Sequence, residues 1–120
     1  MKKFIFLIFI STIIGQSINH EIIESVYSES LLNIEVEIES LNKKITNVSL
    51  YYRTPYQNNY FQLNLILLQN NYFFNNIPLS VLDKEYVEYL IIAEFNDGSI
   101  ISFPSNDPFE KPIRVKIEKV

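Results

Sequence analysis

The sequence predicts an all-β fold, an antiparallel sandwich of about seven strands behind a short N-terminal export signal. Three observations carry that reading. Leu32, Ile34, Val36 and Ile38 alternate with Asn33, Glu35, Glu37 and Glu39, the period-two pattern of a strand with one face buried. Asn96-Asp97-Gly98 stands between two apolar runs, and these residue types tolerate the positive φ of a tight hairpin. Turn signals divide the remainder into short runs rich in β-branched and aromatic residues, with no convincing amphipathic helix.

The elements follow in order. Met1-Lys2-Lys3 is a short basic opening, and Phe4 to Ile14 continues without a charge. That apolar run is about half the ~20 residues of a spanning helix, so a signal-peptide helix is expected rather than an uncleaved anchor. Small residues at Gly15 and Ser17 suit cleavage after Ser17, giving a signal over 1–17 and a domain over 18–120; cleavage after Gly15 is the other option. Ile22 to Tyr27 is a first strand and Leu32 to Glu39 a second. Val48, Leu50 and Tyr52 mark a third, broken at Thr54-Pro55 because proline cannot donate to a central ladder. The fourth places Phe61, Leu63, Leu65 and Leu67 on one side, and Tyr60, Gln62, Asn64 and Ile66 on the other. Tyr72 to Phe74 is the fifth, closing at Ile77-Pro78, and Leu79 to Glu85 is a connecting corner. Val87, Tyr89, Ile91, Ala93 and Phe95 define a long sixth strand, and Ile100 to Phe103 returns as the seventh. Ile113 to Ile117 resumes after Pro104, Pro108 and Pro112, which are expected to protect a final strand at a sheet edge.

Val48-x-Leu50-x-Tyr52-Arg53, then Tyr72 with Ile77-Pro78, then Val87-x-Tyr89-x-Ile91-x-Ala93 ending in Asp97-Gly98, then Pro104, resembles immunoglobulin-like and fibronectin type III-like modules. More narrowly, it resembles those near the N-termini of exported and outer-membrane-associated bacterial proteins. Val87 stands where fibronectin modules usually carry tyrosine, and the chain has no tryptophan. The resemblance implies an immunoglobulin-like antiparallel sandwich acting as a binding, spacer or assembly module of the cell envelope. Fold alone licenses nothing more specific.

Composition narrows the function classes. Without cysteine there is no lipoprotein anchor, disulfide, thiolate metal site or thiol nucleophile. An exported domain of this kind is held by its core, and 48% hydrophobic residues can supply one. Once Lys2 and Lys3 are removed, eight basic residues face 14 acidic ones, a net charge of −6 that disfavours nucleic acid and anionic membranes. His20 is the only histidine and is expected in a frayed terminus near the cleavage site. Glu35, Glu37 and Glu39 form a straight row along one strand face and do not converge on a calcium ion; they read as a solvated surface. Asp97 and Asp107 read as turn residues, and Asn47-Val48-Ser49 as an incidental sequon inside a strand. No catalytic, cofactor or metal residues are assigned, and an enzyme is not expected.

Two candidate surfaces remain. If Val87, Tyr89, Ile91 and Ala93 face the core, Leu90 and Ile92 face outward, with Tyr51 and Ile100 at the same parity on neighbouring strands and Ile66 as an extension. Tyr51, Leu90, Ile92 and Ile100 then form an interaction face for a protein partner or neighbouring domain, unless a loop of the same chain covers them. The other reading is a glycan-binding module in which Tyr51, Tyr56 and Tyr60 stack on sugars. The expected protein is exported to the periplasm, outer-membrane surface or extracellular space. It has no membrane span after signal cleavage, and stands alone or as the first domain of something larger.

Overall fold

The computed structural model describes residues 15–29, 31–55, 57–79 and 85–119, and these form an all-β structure of two sheets. Ten strands lie among the described residues: β1 (Gln16–Asn19), β2 (Ser25–Tyr27), β3 (Leu31–Ser40), β4 (Ile45–Arg53), β5 (Phe61–Asn64), β6 (Ile66–Gln69), β7 (Tyr72–Pro78), β8 (Tyr86–Phe95), β9 (Ile100–Phe103) and β10 (Ile113–Glu118). The smaller sheet has the order β1-β3-β7-β6. The larger has the order β2-β10-β8-β4-β5, with β9 also paired to β8. The expected signal-peptide helix, before Gly15, and most of the expected corner after Leu79 lie outside the described residues.

The alternation in β3 acts as expected. Leu32, Ile34, Val36 and Ile38 are buried, and they join Val48, Leu50, Val87, Tyr89, Ile91 and Ala93 of the opposite sheet in one apolar core. Each such aliphatic side chain contributes roughly 1.5–3 kcal/mol by leaving water. The hairpin at Asn96–Gly98 is also as expected. Gly98 has φ +86°, the Asp97 carboxylate accepts from the Ser99 amide at 3.0 Å, and Lys43 pairs with Asp97 at 2.8 Å.

A strand that the sequence does not announce, β1, pairs with β3, with Gln16 opposite Ser40 and Ser17 opposite Glu39. Three expectations about elements are corrected. The expected first strand contracts to β2, which runs parallel to β10. The expected fourth strand is two: β5 pairs with β4, the Leu65 amide donates to the Val48 carbonyl at 2.8 Å, and the chain then crosses to pair β6 with β7. A single run of alternating residues cannot reveal this change of sheet, because parity is the same whichever neighbour accepts the bonds. Finally, β10 is no edge strand, since it lies between β2 and β8. The three prolines instead sit in the segment 104–112 that joins β9 to β10.

Both β9 and β10 pair with the same side of β8. Phe103 of β9 is opposite Ile91, and Ile113 of β10 is opposite Tyr89. The 104–112 loop therefore leaves and re-enters the sheet beside Leu90.

Candidate interaction surface

That register decides the fate of the expected interaction face. Leu90 points away from the core, as parity requires, yet it is 0% exposed. Its opposite partner on β4 is Tyr51. The Phe109 ring, carried by the loop beside Leu90, packs edge-on against Tyr51 at 5.3 Å and against Tyr60 at 5.4 Å. The Tyr60 hydroxyl donates to the Phe109 carbonyl at 2.8 Å, tying the loop down. A turn at Asp107, φ +46°, lifts Phe109 into position, with the Glu110 and Lys111 amides donating to the Asp107 carbonyl. The loop of the same chain thus covers this part of the face, and Leu90 is a core residue of a second, smaller apolar layer.

The other members of the expected face differ. Ile92 is partly covered and Ile100, opposite Glu94, stays 58% exposed. Ile66 does not extend the set, because β6 belongs to the other sheet. The tyrosines proposed for sugar stacking are engaged internally where they are described. Tyr51 meets Phe109, and the Arg53 guanidinium lies 4.3 Å over the Tyr60 ring. Burial pushes the Tyr60 hydroxyl above its ordinary pKa, with Arg53 pulling the other way. Tyr56 lies outside the described residues.

Next to this aromatic group is a charged row that sequence reasoning passed over. Arg53, Glu88 and Arg114 stand directly opposite one another on β4, β8 and β10. Glu88 is buried. Its carboxylate accepts from Arg53 Nε at 3.0 Å and from Arg114 Nε and Nη2 at 3.1 and 2.8 Å. These are the only two arginines in the chain, and both serve one carboxylate. Two bonds from Arg114 to one oxygen and one from Arg53 to the other distribute the load across the carboxylate. The available signal was Arg53 and Glu88 sharing outward parity on strands expected to be neighbours.

His20 is corrected as well. It is no frayed residue: its Nδ1 lies 2.8 Å from the Glu35 carbonyl and its Nε2 bonds the Tyr89 hydroxyl of the opposite sheet. Since a carbonyl only accepts, Nδ1 carries the proton and Nε2 accepts from Tyr89. The ring also meets Tyr89 and Phe103 edge-on, so one imidazole closes the gap between the sheets beside β1 and β9. Burial lowers the His20 pKa, opposed by the Glu35 carbonyl and the nearby Glu21 carboxylate, and burial raises that of Tyr89. The folded protein therefore binds this proton more weakly than the unfolded chain. The stability His20 contributes is complete above its ordinary value of 6.5 and is lost as pH falls towards its lowered folded value. In thermal melts, the gap between wild type and His20→Gln is expected to narrow between about pH 7.5 and about pH 5. A constant gap would show that the neutral imidazole is not what matters.

The acidic row behaves as a solvated surface. Asn33 and Asn19 donate to Glu35 and Glu39 at 2.7 Å each, and among the described residues no group of acidic or histidine side chains is arranged to hold a metal ion.

An unbroken run of uncovered apolar side chains lies elsewhere, where the chain switches sheets. Phe61 is 53% exposed, and Ile66, Leu67 and Leu68 are each 54% exposed in succession. Tyr72 adds to them. No acidic or basic side chain occurs between Arg53 and Asp83, so β5, β6 and β7 carry no charge of their own, although Glu35 and Glu37 of β3 stand opposite Phe74 and Tyr72 of β7. The absence of charge over that span was readable in the sequence; its meaning depended on β5, β6 and β7 coming together.

No protein-family model matches the sequence, and no curated protein is significantly similar to it.

Proposed function

We propose that this chain is an exported, non-catalytic immunoglobulin-like module that works by binding another protein at the cell envelope through the side that bears β6. The observation that carries the reading is the exposed run Ile66-Leu67-Leu68 on β6, a strand free of charge, with Phe61 exposed farther back along the same uncharged stretch of chain. Monomeric surfaces rarely leave such a continuous apolar run without a use. The non-catalytic part is supported by the employment of His20, the one histidine, as a bond between sheets. The glycan reading is not favoured, because Tyr51 and Tyr60 are committed to Phe109 and Arg53.

Export is supported by the basic start and short apolar run. Since Gln16 and Ser17 pair with β3, cleavage after Gly15 leaves β1 whole, whereas cleavage after Ser17 removes half of it. The proposed mature chain therefore begins at Gln16. Intact mass of the protein recovered from envelope or culture medium tests this, and full-length protein confined to the cytosol would overturn it. A photo-reactive residue placed at Phe61 in producing cells is expected to give protein adducts. Adducts to glycan alone, or none, would sink the interaction reading.

A further inference from the structure

We propose that the partner on this side is a second copy of the same chain, with β6 strands antiparallel about a two-fold axis; this rests on the interaction reading above. Among the described residues, β6 is hydrogen-bonded on one edge only, to β7. Its other edge presents open backbone donors and acceptors. The usual guards of such an edge are lysine, other charges and proline, and Ile66–Gln69 contains none of them. The register shifts between Leu67 and Gln69, a bulge at Leu68. Two residues then oppose one on β7, which accounts for Leu67 and Leu68 being exposed in succession.

Charge selects the occupant. The chain is acidic overall, and the outer face of β3 carries Glu35, Glu37 and Glu39, so two copies repel one another wherever carboxylates face outward. The open edge of β6, which carries no charge, is where two such molecules meet without placing like charges against one another. A basic partner finds no counter-charge there. The polar groups flanking this edge include the side-chain amides of Asn64, Gln69 and Asn70, each both donor and acceptor, which an identical surface can satisfy in return. A two-fold contact also closes on itself. The opposite edge of the same sheet, β1, is likewise hydrogen-bonded on one side only, but β9 runs beside it, whereas no strand is packed beside the edge of β6 among the described residues.

Sedimentation velocity over a dilution series of the purified protein tests the proposal. Wild type is expected to populate a dimer that dissociates on dilution, with little response to added salt because no ion pairs are involved. Leu67→Lys is expected to be monomeric at every concentration with an unchanged melting temperature, and Leu68→Glu repeats the test should the first variant fail to fold. Glu37→Lys, on the acidic face, should dimerise at least as well as wild type. A wild type that is monomeric throughout, or a Leu67→Lys protein that dimerises like wild type, overturns the proposal. If purified protein is monomeric while the Phe61 photo-probe still labels a different protein in cells, self-pairing fails and the interaction reading stands. If neither copy nor other protein is captured, both fail.

Discussion

Replacing Leu90 with alanine is expected to lower the unfolding free energy by about 2–5 kcal/mol, and Leu90→Asp is expected to prevent stable folding. The reason is the lid. Leu90 has its side chain on the outer face of β8, where a strand of a two-layer fold ordinarily meets water, but it is wholly buried beside the 104–112 loop. Truncation leaves a void between sheet and loop that Tyr51 and Phe109, already locked edge-to-face, can fill only in part. A carboxylate there finds no solvent. Ile100 supplies the contrast, being outward on β9 and more than half exposed; Ile100→Asn should change stability by no more than about 0.5 kcal/mol. Urea unfolding of the three variants measures this directly. A Leu90→Asp protein as stable as Ile100→Asn would mean that the loop is not closed in solution.

The second large effect is expected at Glu88. Glu88→Ala should cost about 2–3 kcal/mol, less than the 3–5 of a wholly buried pair because Arg114 reaches solvent. The loss leaves the Arg53 guanidinium, whose side chain is only 19% exposed, without its carboxylate. Arg114 is 55% exposed and water replaces much of what it loses, so Arg114→Ala should cost about 1 kcal/mol or less. A double-mutant cycle should accordingly give stronger coupling between Glu88 and Arg53 than between Glu88 and Arg114. The reverse order would show that the two bonds from Arg114, and not burial, dominate the cluster.

These two sites share a cause for their difference in legibility. Parity correctly placed Leu90, Ile92, Tyr51 and Ile100 on one outward face, because side-chain direction along a strand has a period of two and needs no tertiary information. Whether that face is wet depends on a segment remote in sequence. Phe109 lies among prolines and polar residues, and nothing in its neighbours says that it returns to Tyr51 and Tyr60. Likewise Arg53, Glu88 and Arg114 are separated by 35 and 26 positions, and only the strand register brings them opposite one another. His20 was misplaced for a similar reason: β1 pairs with β3 and delivers the imidazole to Tyr89, although the local sequence looks like the frayed end of a processed chain.

By itself, the sequence determined the β class, the core parity of β3, β4 and β8, the hairpin at Gly98 and the acidic outer face of β3. All of these follow from local periodicity, backbone preferences at glycine and the cost of burying charge. The tertiary structure alone decided the change of sheet at Leu65, the covering of Leu90, the pairing of both arginines with Glu88 and the open, charge-free edge of β6. Each of those depends on which distant strands exchange hydrogen bonds, and a pattern of period two is identical for every choice of neighbour.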